Sequence, residues 1–194
     1  GHVTVLPDLL ATDLEWSPNS NILAIASGAD ELIGGEIWQD PRIHLYAPSS
    51  RTMPRVLEGT LGVGQLTWSP DGGLIAYTTG DSLHELRLID VETGQQQVLA
   101  TEFVAIHGIG PVWSPDGETI VYQRICGEHP SDTQRVCREQ HEVVLLTPGD
   151  PSDEPATPQE MVIPALQTTA EGSGYLFPFR VTWSPDGEYL LYQA

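Results

Sequence analysis

The sequence predicts an all-β fold, a β-propeller of four-stranded antiparallel blades, with three complete blades and a split or incomplete fourth. A tryptophan-containing pentapeptide recurs along the chain, and a short apolar run follows each copy. No stretch shows the period of an amphipathic helix. Units of four short strands that repeat roughly every 45 to 50 residues are typical of propeller blades. The pentapeptides occupy residues 16–20, 68–72, 113–117 and 183–187.

The pentapeptide predicts a strand, a tight turn and a second strand. Three copies read Trp-Ser-Pro-Asp-Gly, in which proline fixes its own φ and holds the preceding serine extended. The aspartate accepts a backbone N–H, and the glycine adopts the positive φ that closes the turn. We expect the tryptophan, on the strand before the turn, to be buried between neighbouring sheets. Because Ser20 replaces glycine in the first copy, we expect that turn to be strained or differently shaped.

The strands follow in the same order in every unit. The first unit is predicted to contain strands at 13–16, 22–27, 43–46 and 55–58, and the second at 65–68, 74–78, 85–89 and 97–99. The third contains strands at 111–113, 119–123, 142–146 and 161–163, and the fourth opens at 180–183 and 189–192. A strand over 2–6 precedes the first unit. One domain of residues 1–194 follows, with blades at about 12–58, 65–99, 111–163, and 180–194 with 2–6.

The fourth blade lacks its third strand in this count. Three explanations stay open: the chain is a fragment of a larger propeller, two copies complete a ring, or the chain was processed. Unpaired edge strands at both ends would favour self-association.

The residues that follow the turn carry a family resemblance. Residues 68–77 read Trp-Ser-Pro-Asp-Gly-Gly-Leu-Ile-Ala-Tyr, which resembles the WD40-like (PD40) repeat of TolB-type β-propellers. The resemblance implies a toroid of four-stranded blades, usually six or seven. It also implies a binding platform or an accessory domain of peptidases and sensor proteins.

Composition limits the partners. Eight Lys plus Arg against 27 Asp plus Glu give a formal net charge of -19. Nucleic acid and anionic membranes both require cationic surface, and no apolar run is long enough to span a bilayer, so neither partner is expected. The acidic surface either serves solubility or attracts basic partners or divalent cations.

Two cysteines lie in one polar segment, at Cys126 and Cys137. A disulfide between them is expected if the protein is exported, and two inert thiols are the alternative. We expect an extracytoplasmic location, periplasmic or at the cell surface. No spacing of a zinc or calcium site is present, and neither a metal nor a cofactor is expected.

The candidate binding residues lie in loops on one face. In a meander, loops alternate between two ends, so the face opposite the pentapeptide turns receives most of the long loops. Binding residues concentrate on loops of a rigid frame, and aromatic anchors among carboxylates suit a basic protein or peptide. The alternative is that the aromatics pack under their own loops. The candidates are Asp30, Glu31, Glu36, Trp38, Asp40, Phe103, His107, Glu128, His129, Asp132 and Tyr175.

No catalytic constellation is expected, since a G-x-S-x-G elbow is absent from the sequence. The sequence therefore predicts a non-catalytic propeller module that binds or senses a protein or ligand within a larger exported or cell-surface protein. The alternative is the propeller portion of a carbohydrate-active enzyme or a peptidase. A second copy of the chain, completing the ring, is the other candidate partner.

Overall fold

The computed structural model describes residues 10–28, 30–33, 36–39, 41–50, 53–79, 85–101, 110–126, 140–149, 158–163 and 180–193. Within these ranges the regular structure is entirely β, with sixteen strands and no helix. The strand predicted over 2–6 lies outside the described residues.

The strands form antiparallel meanders in chain order. Blade one contains β1 (Leu10–Trp16), β2 (Leu23–Gly28), β5 (Arg42–Tyr46) and β6 (Arg55–Val56), with a separate hairpin of β3 (Asp30–Ile33) and β4 (Glu36–Gln39) inserted after β2. Blade two contains β7 (Val63–Trp68), β8 (Leu74–Thr79), β9 (Leu86–Asp90) and β10 (Gln96–Ala100). Blade three contains β11 (Val112–Trp113), β12 (Ile120–Cys126), β13 (Gln140–Thr147) and β14 (Gln159–Ile163). Blade four is described as β15 (Arg180–Trp183) and β16 (Leu190–Gln193). These sheets confirm the predicted all-β, multi-bladed fold class.

The pentapeptide turn is organised by its serine. In blade two, Ser69 Oγ donates to Asp71 Oδ1 at 2.6 Å and accepts from Leu74 N at 2.9 Å. The backbone closes the same turn, because Ser69 N donates to Leu74 O at 2.9 Å and Gly72 N donates to Ser69 O at 2.8 Å. Ser114 and Ser184 make the equivalent bonds in the next two copies. The sequence interpretation gave roles to the proline, aspartate and glycine, but it missed this serine bridge.

The first turn keeps the closing bond despite its altered sequence. Ser17 N donates to Ile22 O at 2.8 Å, and Ser17 Oγ bonds Asn19 Oδ1 at 3.1 Å, where the other copies use aspartate. Asn19 Nδ2 also donates to the carbonyl oxygen of Asp71. The first turn is therefore tied directly to the turn of blade two.

Successive turns touch one another. A Cβ added at Gly117 would lie 3.5 Å from Pro70 Cδ, and one added at Gly187 would lie 3.6 Å from Pro115 Cδ. At Gly72 the neighbour is Asn19, whose amide group would overlap an added Cβ. The turns thus form a continuous row along one face of the stacked blades.

Replacing Gly72 by alanine should lower the free energy of unfolding by about 1–2 kcal/mol, because the site has a φ of 70° and an added Cβ would overlap Asn19. Gly73→Ala is the matched control, since its Cβ would meet nothing closer than Asp71 Oδ1 at 3.6 Å. Urea unfolding followed by circular dichroism measures both variants. Equal losses at the two positions would contradict the explanation.

The turn aspartates should make stability depend on pH. The hydrogen bond from Ser69 lowers the pKa of Asp71 below its usual 3.8, and the bond from Gly73 lowers it further. The pKa values of Asp116 and Asp186 are lowered in the same way by Ser114 and Ser184. Since the folded-state pKa lies below the unfolded value, this stabilisation is present above pH 3.8 and is lost as the pH falls through the folded-state pKa.

A variant with all three aspartates replaced by asparagine tests this dependence, since Asn19 shows that asparagine fits the turn. We expect the wild type to be more stable than the variant at pH 7 and to lose that advantage progressively as the pH falls below 3.8. Urea unfolding at several pH values measures the difference. A difference that stays constant with pH would contradict the assignment.

Tyrosines tie the second strand of a blade to the fourth. Tyr77 Oη donates to Gln96 Oε1 at 2.9 Å, and Tyr122 Oη donates to Glu160 Oε1 at 2.9 Å. Arg124 Nη1 adds an ion pair to Glu160 Oε2 at 2.8 Å. Burial raises the pKa of both phenols, so they stay protonated as donors. In blades two and three, these bonds therefore connect the fourth strand to the second strand, spanning the third strand that lies between them.

The cores lie between the blades. The front face of each blade, defined as the face that meets the preceding blade, carries the motif tryptophan. Trp68 is 4% exposed and packs with Ile43 and Leu45 of blade one. Trp113 packs on Leu86 and Leu88 of blade two.

Two motif tryptophans are less buried than these. Trp183 is partly buried against Val121 of blade three. The expectation that every motif tryptophan is buried between sheets is wrong for Trp16, which is 52% exposed. The described part of the chain places no sheet in front of blade one, so the Trp16 ring lacks the second surface that covers the others.

Candidate functional site

The predicted binding surface is partly described. Asp30, Glu31, Glu36 and Trp38 lie on β3 and β4, so the structure gives their backbone positions. The remaining candidates lie outside the described residues, and their predicted role stays a prediction: Asp40, Phe103, His107, Glu128, His129, Asp132 and Tyr175.

The candidates Asp30, Glu31, Glu36 and Trp38 were expected to lie in a loop, and the structure corrects this expectation. They belong to the hairpin of β3 and β4, in which Glu31 pairs with Trp38 and Ile33 with Glu36. The hairpin forms a two-stranded sheet of its own, separate from the sheet of blade one. The signal was present in the sequence, since Gly34-Gly35 separates two short runs that contain apolar residues, a pattern that favours a hairpin.

The disulfide prediction is untested. Cys126 ends β12 with its backbone paired to Gln140, and Cys137 lies outside the described residues. This pairing places Cys126 and Gln140, the residues that flank residues 127–139, next to each other on neighbouring strands. β2 and β12 are both second strands, so Gly28 and Cys126 end their strands on the face opposite the pentapeptide turns.

Two carboxylates that the sequence reasoning missed lie on the first strand of blade one. Asp13 Oδ2 accepts from Leu66 N at 2.9 Å, and Glu15 Oε2 accepts from Trp68 N at 2.9 Å. Glu15 O also accepts from Trp68 Nε1 at 3.1 Å. β7 is the edge strand of blade two, so these N–H groups have no strand partner on that side. Both side chains therefore join blade one to blade two.

Burial dominates the electrostatics of Glu15. Removal from water raises the pKa of its carboxyl above the usual 4.5, and the charge of Asp13 raises it further. Hydrogen bonds from Trp68 and Thr67 oppose this rise by favouring the carboxylate. An acid pair on an inner strand is what a glycosidase-like site would need, but these carboxylates are already engaged with backbone donors.

A cleft opens between blades one and two on the face that carries the pentapeptide turns. Its volume is about 560 Å³, within the range of small-ligand pockets. Arg55 Nη2 donates to Val91 O at 2.6 Å across the gap between the blades. Sequence reasoning did not identify this cleft, because residues from two separate blades line it. The lining includes Ile22, Leu45, Met53, Arg55, Val91 and Glu92.

The cleft offers a mixed polar and apolar surface. Asp90, one of its two lining carboxylates, accepts hydrogen bonds from Glu92 N at 3.0 Å and Thr93 N at 2.6 Å, and the bonds from Thr93 lower the pKa of this carboxyl. Asp90 therefore caps its own turn. In the described ranges, no group of three or more His, Cys, Asp or Glu side chains could hold a metal ion. Over the same ranges, no helix has the length and hydropathy to cross a membrane.

Three solved structures with similar folds are distant from this chain in sequence. Hydrazine synthase of Kuenenia stuttgartiensis is 16% identical with a TM-score of 0.57, over 94% of this chain and 49% of that one. TolB from Acinetobacter baumannii is 19% identical with a TM-score of 0.56, over 95% and 37%. The β-propeller domain of the Trilobed protease from Pyrococcus furiosus is 13% identical with a TM-score of 0.55, over 84% and 46%. The chain thus spans half or less of the length of these structures. No curated protein matches it.

One family matches the sequence itself. It is described as the prolyl oligopeptidase N-terminal β-propeller domain, and it matches residues 56–161. This range begins at the last strand of blade one and ends within the last strand of blade three. It covers more than half of the 194 residues, and the fold agrees with it, so the chain belongs to the family of prolyl oligopeptidase N-terminal β-propeller domains.

Proposed function

We propose that this chain is a non-catalytic propeller module that binds a basic protein or peptide within a larger extracytoplasmic protein. The binding surface is the loop face that includes the hairpin of β3 and β4. Its repeats are of the WD40-like (PD40) kind, and the pair Cys126 and Cys137 pins a second segment on the same face.

The inserted hairpin is the observation that carries the proposal. The sheet of blade one is complete with four strands, and β3 and β4 form a separate sheet, so the hairpin is an insertion into the blade. The addition brings Trp38 together with Asp30, Glu31 and Glu36 in a chain whose net charge is -19. Large aromatic side chains dominate binding energies, and surrounding carboxylates favour cationic partners.

The family supports a second candidate function. The matched family is named for a peptidase, and the Trilobed protease contains a similar propeller. In this alternative the blades control substrate access to a catalytic domain outside residues 1–194. The same alternative extends to a carbohydrate-active enzyme, for which the acid pair Asp13 and Glu15 is the nearest supporting feature. Both carboxylates accept hydrogen bonds from backbone N–H groups of blade two, which favours the non-catalytic binding module over the carbohydrate-active enzyme.

Trp38→Ala should weaken binding of an arginine-rich peptide by tenfold or more, because truncating an aromatic anchor removes most of the local binding energy. Fluorescence anisotropy with a labelled peptide measures the dissociation constant, and a glutamate-rich peptide of equal length tests the charge requirement. Met53→Ala, an exposed apolar residue on the opposite face, is the control and should bind normally. Equal binding of the two peptides, or of the Trp38 variant and the wild type, would refute the assignment.

A separate assay tests the non-catalytic part of the proposal. The purified chain should release no product from a chromogenic peptide with proline before the scissile bond, or from an aryl glycoside. Turnover that purifies with the chain and disappears in the Glu15→Gln variant would favour the enzymatic alternative.

A further inference from the structure

The cleft between blades one and two is walled by two connections of unequal length. Residues 47–54 connect β5 to β6 in blade one, whereas the shorter segment 91–95 connects β9 to β10 in blade two. The longer connection supplies Met53, which lines the cleft and is 74% exposed. The cleft lies on the face opposite the hairpin of β3 and β4, so it is separate from the proposed binding surface.

A glycine that the backbone does not require keeps the cleft open. Gly73 follows the pentapeptide of blade two, at the position that Asn21, Glu118 and Glu188 occupy in the other copies. The φ of Gly73 lies outside the left-handed region, and an added Cβ would meet nothing closer than Asp71 Oδ1 at 3.6 Å. A larger residue would therefore fit the turn itself. Glycine at this position keeps side-chain atoms out of the cleft, as it does where a ligand approaches the backbone closely.

The apolar lining of the cleft is continuous with the core between the two blades. Leu45 is buried in that core, and Ile22 and Val91 are partly buried against it. An apolar side chain that rests on these three residues is removed from water, which favours its binding. The cleft volume of about 560 Å³ suits a ligand of small size.

Charged groups of both signs line the same cleft. Asp90 and Glu92 flank Val91, whose carbonyl oxygen accepts from Arg55 Nη2 at 2.6 Å. In the described part of the chain, Arg55 forms no ion pair with either carboxylate, and the Glu92 carboxylate accepts no hydrogen bond. An arginine side chain has five N–H donors, so Arg55 retains donors for a ligand carboxylate. Glu92 can accept from a ligand ammonium group.

We propose that this cleft binds an apolar α-amino acid in its zwitterionic form. Arg55 holds the carboxylate, Glu92 holds the ammonium group, and the apolar side chain rests on Ile22, Leu45 and Val91. Charge selects the zwitterion, because a chain with a net charge of -19 repels a simple anion, whereas a simple cation leaves Arg55 without a counter-charge. The inference is independent of the proposed function, since the two sites share no residue.

Titration with L-leucine, followed through the backbone amide signals in two-dimensional NMR spectra, tests the site. The signals of Ile22, Gly73 and Val91 should shift and then saturate. Three probes each lack one recognised group: N-acetyl-L-leucine lacks the ammonium group, L-leucinamide the carboxylate, and glycine the apolar side chain. Each should bind at least tenfold more weakly than L-leucine. Shifts that do not saturate, or equal binding of L-leucinamide and L-leucine, would overturn the proposal.

Two variants test the assigned residues. Gly73→Asn introduces the residue that blade one has at this position, and it should weaken L-leucine binding at least tenfold. Glu118→Asn, at the same position of blade three, is its matched control and should bind normally. Arg55→Gln should abolish the preference for L-leucine over L-leucinamide, whereas Arg42→Gln, outside the cleft, should retain it. The spectra of the free variants report whether each is folded, and unchanged binding by a folded Gly73→Asn variant would refute the site.

Discussion

Replacing Trp68 by alanine should lower the free energy of unfolding by about 3–5 kcal/mol, the largest stability loss expected for a single substitution in this chain. The indole is 4% exposed and fills the space between blades one and two. Its Nε1 also donates to Glu15 O at 3.1 Å, so the substitution leaves a carbonyl without that donor. Total stabilities of single domains are about 5–15 kcal/mol, and the variant would lose a large share of its own.

Trp16→Ala is the matched control for this experiment. It removes the same side chain from the same motif position, but the ring is 52% exposed, so little buried surface is lost. Urea unfolding followed by far-ultraviolet circular dichroism measures both variants, at a concentration at which the wild type is monomeric by sedimentation. Similar losses in the two variants would show that burial between blades is not what stabilises Trp68.

Removing the acceptors on β1 should cost about 1–3 kcal/mol for each of Asp13→Ala and Glu15→Ala. Each substitution leaves a backbone N–H of the edge strand β7 without its acceptor, at Leu66 or at Trp68. A buried donor that loses its partner incurs the desolvation cost of that group. Chemical unfolding of the two single variants and the double variant measures the effect, and hydrogen exchange at Leu66 and Trp68 should accelerate most.

Glu15→Gln separates hydrogen bonding from charge. The amide oxygen can still accept from Trp68 N, so most of the stability lost in Glu15→Ala should be retained. Because burial raises the folded-state pKa of Glu15 above 4.5, the folded state binds the proton more tightly than the unfolded state. The wild type therefore loses stability as the pH rises through 4.5 to the folded-state pKa.

The free energy of unfolding of Glu15→Gln, relative to that of the wild type, should therefore rise between pH 4 and pH 7. If Glu15→Gln is as unstable as Glu15→Ala at every pH, the acceptor role assigned to this carboxylate is wrong.

The hairpin of β3 and β4 and the cleft at Arg55 show two different limits of sequence reasoning. The hairpin carried a local signal, Gly34-Gly35 between short strand-like runs, which the expectation of a loop overlooked. The cleft carried none, because Met53 and Val91 line the same cleft only when blades one and two stack. The serine bridge of the turn lies between these cases, since the serine recurs in every copy but its partners depend on the folded turn.

The sequence by itself determined the all-β fold, the order of strands within each blade and the position of every pentapeptide turn. Proline, aspartate and glycine act on their immediate neighbours, so their effects can be read from a single repeat. Only the tertiary structure decided which tryptophans are buried. Trp16 and Trp68 share a motif, yet one is half exposed and the other is in the core, because burial requires a second sheet and the local sequence does not encode its presence. The roles of Asp13 and Glu15 were decided in the same way, since their partners belong to the next blade.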